Sequence, residues 1–340
     1  MVGGAGGGDL PAVRKHAAAV LRAAALGDRQ LAGVTRARGG SKKGVYRLSC
    51  ADGFSAILYV WSRAEDYWPA DPDAAAEEVF THASGLRLFT ACARRLEAAG
   101  VTVPRVYLAD ESHAVYPAGV APVEDVRGGT LEDLLAADPP GAEPVMKRLG
   151  GMLTSMWRQR AERPGRVGGL GGVGGRAARP GAPDAGRCEQ IVVDRALRHL
   201  DRAAERVPPV ADARSRLAET LRALAAAIEP RAQYTLIHGE LGPDHVLVTG
   251  RREPVVIDIE GTMYFDAEWE HVFLRLRFGQ AYDWLRMDGL DERRLRLYSL
   301  ALDLSLIEGP LRLLDGGFPA RDAMLAIAAH AVDRALAATD

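Results

Sequence analysis

Asparagine is absent from the 340 residues, cysteine occurs three times and lysine four times. Cys50, Cys92 and Cys188 are odd in number and include no Cys-x-x-Cys pair, which excludes a disulfide framework and a structural zinc site. No apolar run approaches the ~20 residues that span a bilayer, so no membrane partner is expected. The opening residues are glycine-rich, with neither the basic start nor the apolar stretch of a signal peptide. The expectation is a reduced, soluble, cytoplasmic protein. Net charge is −2, which argues against a nucleic-acid partner held by bulk electrostatics. Of the 43 basic residues 39 are arginines, and the bias towards Ala, Arg, Gly and Pro reads as GC-rich coding rather than as function. Without asparagine, any mechanism that needs an Asn ligand must run on a substitute.

What is present suffices for a real core. The hydrophobic fraction is 48%, and the length suits two domains, or one with a large insert. Residues 11–26 read as an Ala-rich helix, followed by a strand-like stretch. Gly39-Gly40-Ser41-Lys42-Lys43-Gly44 is a glycine-rich turn that leads into a strand at Val45–Ser49. A second turn precedes the apolar strand Ala56–Trp61. Residues 73–99 are helical in composition. Val101–Leu108, interrupted by Pro104, and Ala114–Val123 read as two more strands. Thr130-Leu131-Glu132-Asp133 resembles a capping box opening a helix, and another helix covers 143–161. Pro164–Gly186 is a low-complexity, glycine-rich loop, either a lid or a linker. Helix returns at 189–205, at 212–229 with Leu217, Leu221, Leu224 and Ile228 on one face, and over 285–338, broken at Gly309-Pro310 and 315–317. Strands early and helices later predict an α+β protein of two lobes.

The stretch from Tyr234 to Phe278 carries the chemistry. It contains His238-Gly239-Glu240-Leu241-Gly242-Pro243-Asp244-His245, then the buried strand Val255-Val256-Ile257 and Asp258. Two short strands either side of a turn are expected to present Glu240, His245 and Asp258 near one another. A carboxylate at the end of an apolar strand is costly unless paired or bound to a cation, which marks Asp258 as a functional candidate.

At these residues the chain resembles the aminoglycoside phosphotransferase and choline kinase-like family, small-molecule relatives of the protein kinases. The resemblance rests on His238-Gly239, Pro243, Val246-Leu247-Val248 and Ile257-Asp258, with Asp258 eighteen positions after Glu240. It implies a two-lobed protein-kinase-like fold: an N-lobe over 1–123, a hinge at 124–128 and a helical C-lobe over 129–340. It implies a phosphotransferase that uses ATP or GTP with Mg²⁺, or Mn²⁺, and acts on a hydroxyl of a small molecule such as an antibiotic or other secondary metabolite. Glu240 would act on the acceptor hydroxyl as the catalytic base, and Asp258, with His245 beside it, would hold the metal. Gly40, Ser41, Lys42, Lys43 and Tyr59 would line the nucleotide phosphates, and Glu124 and Val126 would meet the base. Nothing in the sequence sets the oligomeric state.

Several positions depart from the family pattern, among them Glu270 where the family's next Asp stands. Glu240 stands where the family has Asp, His245 where it has Asn, and Tyr59 where the third strand carries a lysine. The helix glutamate that pairs with that lysine falls near Phe89, with Glu77 and Glu78 as alternatives. Loss of both partners predicts an aromatic or apolar contact in place of the ion pair, with Lys42 and Lys43 as the nearest substitute cations. Two other readings stay open: a kinase-like binding or regulatory protein with degraded catalysis, and a metal enzyme built on His238, Glu240 and His245. Glu268, Glu270 and His271 are expected to open a helix and contact the catalytic loop.

Overall fold

The computed structural model describes residues 10–37, 39–70, 79–80, 83–168 and 187–339. In chain order they form α1 (Leu10–Ala23), β1 (Leu31–Arg36), β2 (Gly44–Cys50), β3 (Ser55–Trp61), α2 (Leu86–Ala98), β4 (Gly119–Glu124), α3 (Leu131–Ala137) and α4 (Pro139–Trp157). There follow β5 (Arg160–Ala161), β6 (Gly165–Arg166), α5 (Cys188–Ala204), α6 (Pro208–Ala226), β7 (Tyr234–Ile237), β8 (Val246–Val248) and β9 (Pro254–Val256). The chain ends with β10 (Met263–Phe265), α7 (Ala267–Phe278), α8 (Glu292–Asp315) and α9 (Arg321–Ala337). The expected α+β class holds.

Backbone proximity divides the chain into two units, residues 1–148 with 243–260, and residues 149–242 with 261–340. The segment 124–128, expected as a hinge, therefore lies inside the first unit. Backbone pairing explains this: Val248 donates its N–H to Gly129, Thr130 bridges Leu247, and Val256 donates to Thr102. The hairpin of β8 and β9 is thus tied to the chain around residues 102 and 130.

In the first unit, β1 to β4 form an antiparallel sheet in chain order. Val13, Ala17, Val20 and Leu21 give α1 one apolar face, and it packs on Val34, Tyr46, Leu48, Leu58, Val60 and Val120. The alternation along β2 puts Tyr46 and Leu48 into this core while Arg47 faces out. The predicted strand at Val101–Leu108 is not one. Pro104 lacks an N–H for a ladder, and isolated pairings take its place: Tyr107 to Pro122, Glu124 to Arg105 and Val256 to Thr102. Thr130 does form the expected capping box with Asp133.

In the second unit, β5, β7, β10 and β6 make a small antiparallel sheet beside the helices α5 to α9. The helix predicted to reach residue 161 ends at Trp157, and Arg160–Ala161 pairs with β7 instead. The break expected at Gly309-Pro310 is absent. Both residues are buried within a continuous α8, so tertiary packing outweighs poor helix propensity. The helix expected from residue 73 is seen from Leu86; 71–78 and 81–82, with Glu77 and Glu78, lie outside the described residues, as do 169–186 of the expected loop.

Candidate functional site

The glycine-rich turn is held from behind. Gly40 has φ of 78°, a conformation that glycine adopts without steric cost. Tyr67 donates its backbone N–H to the carbonyl of Ser41 at 2.9 Å, and Trp68 donates its indole N–H to the Ser41 hydroxyl at 3.0 Å. At Gly44 a Cβ would meet the buried Glu65 carboxyl at 2.7 Å, so only glycine fits. Glu65 itself is fixed by the Tyr46 hydroxyl and by Arg36 at 2.6 Å. Ser84 donates to the carbonyl of Lys42, whose ammonium stands 5.8 Å from the Trp68 ring.

Lys43, the last residue before β2, turns inward. Its side chain is 8% exposed, and its ammonium lies 2.9 Å from Asp258 and 2.6 Å from Glu260. The register of the hairpin sets Val45 opposite Tyr59, and the ammonium rests 5.2 Å from the Tyr59 ring. So the lysine missing from β3 is answered by one reaching over the same position from the turn. Burial alone would lower the Lys43 pKa, but Asp258 and Glu260 outweigh it and hold the ammonium above its usual range. Burial pushes the Tyr59 phenol up to about 12, against the pull of Lys43. The far side of Tyr59 packs edge-on against Phe89 at 5.4 Å, the aromatic contact expected where the ion pair is lost.

Asp258 follows β9 and adopts φ of 57°, the left-handed region that Asp tolerates better than most side chains. Ile257 donates its N–H to the carbonyl of His245, and this brings His245 Nε2 to 3.8 Å from the Asp258 carboxylate. The Lys43 ammonium is the main cause of an Asp258 pKa well below the carboxylate range, with His245 adding to it. Glu260, 7% exposed at its side chain, was not singled out by sequence. One of its oxygens meets Lys43, and the other is buried with no hydrogen-bond partner. The available signal was its position two residues beyond Asp258 at the end of an apolar strand. Hard carboxylate oxygens, one buried and unpartnered, suit Mg²⁺ or Mn²⁺. Among the described residues, however, no group of three His, Cys, Asp or Glu side chains is arranged to hold a metal.

Glu124 ends β4, and its N–H is taken by Arg105 at 2.8 Å. The side chain of Asp125 is buried and accepts from Arg47 at 2.9 Å, Ser55 and Arg127. Val126 is buried beyond it.

Glu240 belongs to the second unit, where it is half-buried. Its loop is gripped by α7: Glu270 accepts the Gly239 N–H at 2.8 Å, and Trp269 donates its indole N–H to the Gly239 carbonyl at 3.1 Å. Burial pushes the Glu270 carboxyl up to about 7, partly offset by backbone N–H groups of Gly239, His238 and Leu241. The start of α7 is anchored in turn. Asp266 accepts from the Tyr298 hydroxyl and from the buried Arg294, while Glu268 takes both guanidinium ends of Arg231 at 2.6 Å. Nothing in the sequence marks Arg294 as the buried member of an arginine-rich helix start. A cleft of about 490 Å³ lies between α5 and α6, lined by Arg187, Glu189, Asp194, Leu197 and Arg222 among others. None of the predicted site residues lines it.

Comparison with known proteins places the fold. Aminoglycoside phosphotransferase APH(4)-Ia is similar in structure, with a TM-score of 0.60 at 16% identity over 97% of this chain and 98% of that one. Choline kinase LicA from Streptococcus pneumoniae gives a TM-score of 0.61 at 13% identity over 96% and 98%. A putative fructosamine-3-kinase from Thermobifida fusca gives 0.50 at 21% identity over 94% and 98%. These likenesses establish a protein-kinase-like fold. No curated protein sequence matches the chain. Residues 79–303 match the model of the phosphotransferase enzyme family. That match takes in well over half of the sequence, including the Lys43 partners Asp258 and Glu260 and the Gly239 loop with its α7 brace, and the chain belongs to the phosphotransferase enzyme family.

Proposed function

We propose that the protein transfers the γ-phosphate of ATP or GTP to a hydroxyl of a small molecule, an antibiotic or another secondary metabolite. The observation that carries this reading is the buried Lys43 ammonium held beside Asp258 and Glu260 at the foot of the glycine-rich turn. Phosphoryl transfer needs positioning and charge neutralisation more than covalent chemistry, and this cluster supplies both signs of charge. The backbone of Gly40 and Ser41 covers the phosphates, Lys42 and Lys43 neutralise them, and Tyr59 forms the wall behind Lys43. The chain at Glu124 and Val126 meets the base. Since the Glu124 N–H is spent on Arg105, that contact falls to the other backbone groups of the segment. Glu240 accepts the proton of the acceptor hydroxyl. Asp258 and Glu260, with His245 beside Asp258, would hold Mg²⁺ or Mn²⁺ together with phosphate and water oxygens, and the metal would offset phosphate charge.

APH(4)-Ia has been crystallised with AMP-PNP and hygromycin B, and LicA with AMP, which supports a nucleotide site and a small-molecule acceptor. The reading of a catalytically degraded relative rests on Tyr59, His245 and Glu240. Lys43 answers the first of these by supplying a cation over Tyr59, and favours the enzyme. The deciding measurement is a thermal-shift titration with ATP and GTP, each with Mg²⁺, Mn²⁺ or EDTA, on wild type and Asp258→Ala. Nucleotide at ~100 times its Kd should stabilise the wild type by about 2.7 kcal/mol, only with metal, and Asp258→Ala should lose the response. A wild type indifferent to every nucleotide would sink the proposal.

A further inference from the structure

Lys43 does more than the proposed function asks of it. Its ammonium lies between two carboxylates, 2.9 Å from Asp258 and 2.6 Å from Glu260. This is the space in which a divalent cation would otherwise find hard oxygen ligands. Asp258 remains open to solvent, with 46% of its side chain exposed. Glu260 keeps one buried oxygen without a hydrogen bond, and Lys42 adds a weaker positive field at Asp258. A bare metal ion arriving here meets a fixed positive charge a few ångströms away. To displace that charge it must leave a buried ammonium without its partners, which is strongly unfavourable.

We propose that Lys43 is a resident counterion that keeps a bare divalent cation out of the Asp258–Glu260 pair, so that metal enters only together with a polyphosphate. The phosphate oxygens give the ammonium new acceptors at the moment the carboxylates are released to the metal, and no charge is left unpaired. Glu260 then also holds Lys43 pointing inward until the metal arrives, and its buried second oxygen completes the carboxylate pair. This inference rests on the reading of Asp258 as the metal-holding carboxylate.

The test uses Mn²⁺ alone, followed by electron paramagnetic resonance, on the full chain without nucleotide. Lys43→Met and Lys43→Gln should bind Mn²⁺ about tenfold or more tightly than wild type, since the repelling charge is gone. The gain should vanish when Asp258→Asn or Glu260→Gln is added. Thermal melts run alongside identify a variant that has lost its fold. The wild type alone also decides: tight Mn²⁺ binding that Asp258→Asn abolishes would overturn the proposal. So would Lys43 variants that melt cooperatively and gain no affinity. Because no nucleotide is present, a failed thermal-shift titration would remove the proposed function without removing the counterion, and the Mn²⁺ result would stand or fall by itself.

Discussion

Of the residues that hold backbone conformations side chains rarely accept, two flank the chemistry. Gly239, at φ of 98°, precedes Glu240, and Asp258, at φ of 57°, carries the carboxylate that meets Lys43. A Cβ at position 239 would come 2.9 Å from the Gly261 carbonyl and 3.2 Å from Met263, so both angle and space call for glycine. Gly239→Ala should cost about 1–3 kcal/mol, seen as a lower urea midpoint at unchanged slope. A variant as stable as wild type would show that the loop relaxes freely. The angle of Asp258 is retained because Ile257 is bonded to His245 on one side and Lys43 holds the carboxylate on the other.

Among the elements, α7 stands out because its first turn is buried rather than solvated. Glu268, Glu270 and His271 are all 0% exposed, and Glu270 takes the N–H of Gly239. Burial raises the Glu270 pKa to about 7 from a model-peptide value of 4.5. Between those two values the folded protein binds more protons than the unfolded chain. Its stability from this group is full at low pH and is lost as pH rises through about 7. Glu270→Gln keeps an acceptor for Gly239 without an ionisable proton. Relative to wild type, the variant should therefore gain stability between pH 5 and 8, by a few kcal/mol in order of magnitude. Denaturant titrations at several pH values measure this, and a constant difference across that range would mean that Glu270 titrates normally. The sequence shows the acidic helix start but not its burial. Burial follows from the contacts that α7 makes with β7 and the Gly239 loop.

Over the whole molecule, two buried histidines oppose Glu270. Burial lowers His271 to about 3, aided by Arg275, and lowers His199 to about 4 despite its hydrogen bond to Glu308. Each stays neutral when folded and charges readily when unfolded. Below about pH 6.5 the unfolded chain binds the extra protons, and stability falls as pH drops towards 4. The protein should thus lose several kcal/mol between pH 6.5 and 4, and His199→Gln should flatten that limb. Melting temperatures across this range check it, and a limb unchanged by the substitution would assign the loss elsewhere.

Sequence alone determined the class of the protein and pointed to much of its candidate site. The apolar spacing of α1, the glycine-rich turn, the alternation along β2, the capping box at Thr130 and the interval from Glu240 to Asp258 are all local patterns. Local patterns survive without knowledge of the fold. The absence of lysine at position 59 was equally plain, and with it the need for another contact at Phe89. Tertiary structure decided which of two adjacent turn lysines is buried, because only the pairing of β2 with β3 aims Lys43 over Tyr59 and towards the end of β9. It also decided the part played by Glu260, a carboxylate that has no meaning until a distant ammonium is brought to it. Arg294 among its neighbouring arginines, and α8 running straight through Gly309-Pro310, were likewise settled by packing. In each case the deciding energy is burial and charge pairing between segments far apart in the chain, and no window of sequence contains both partners.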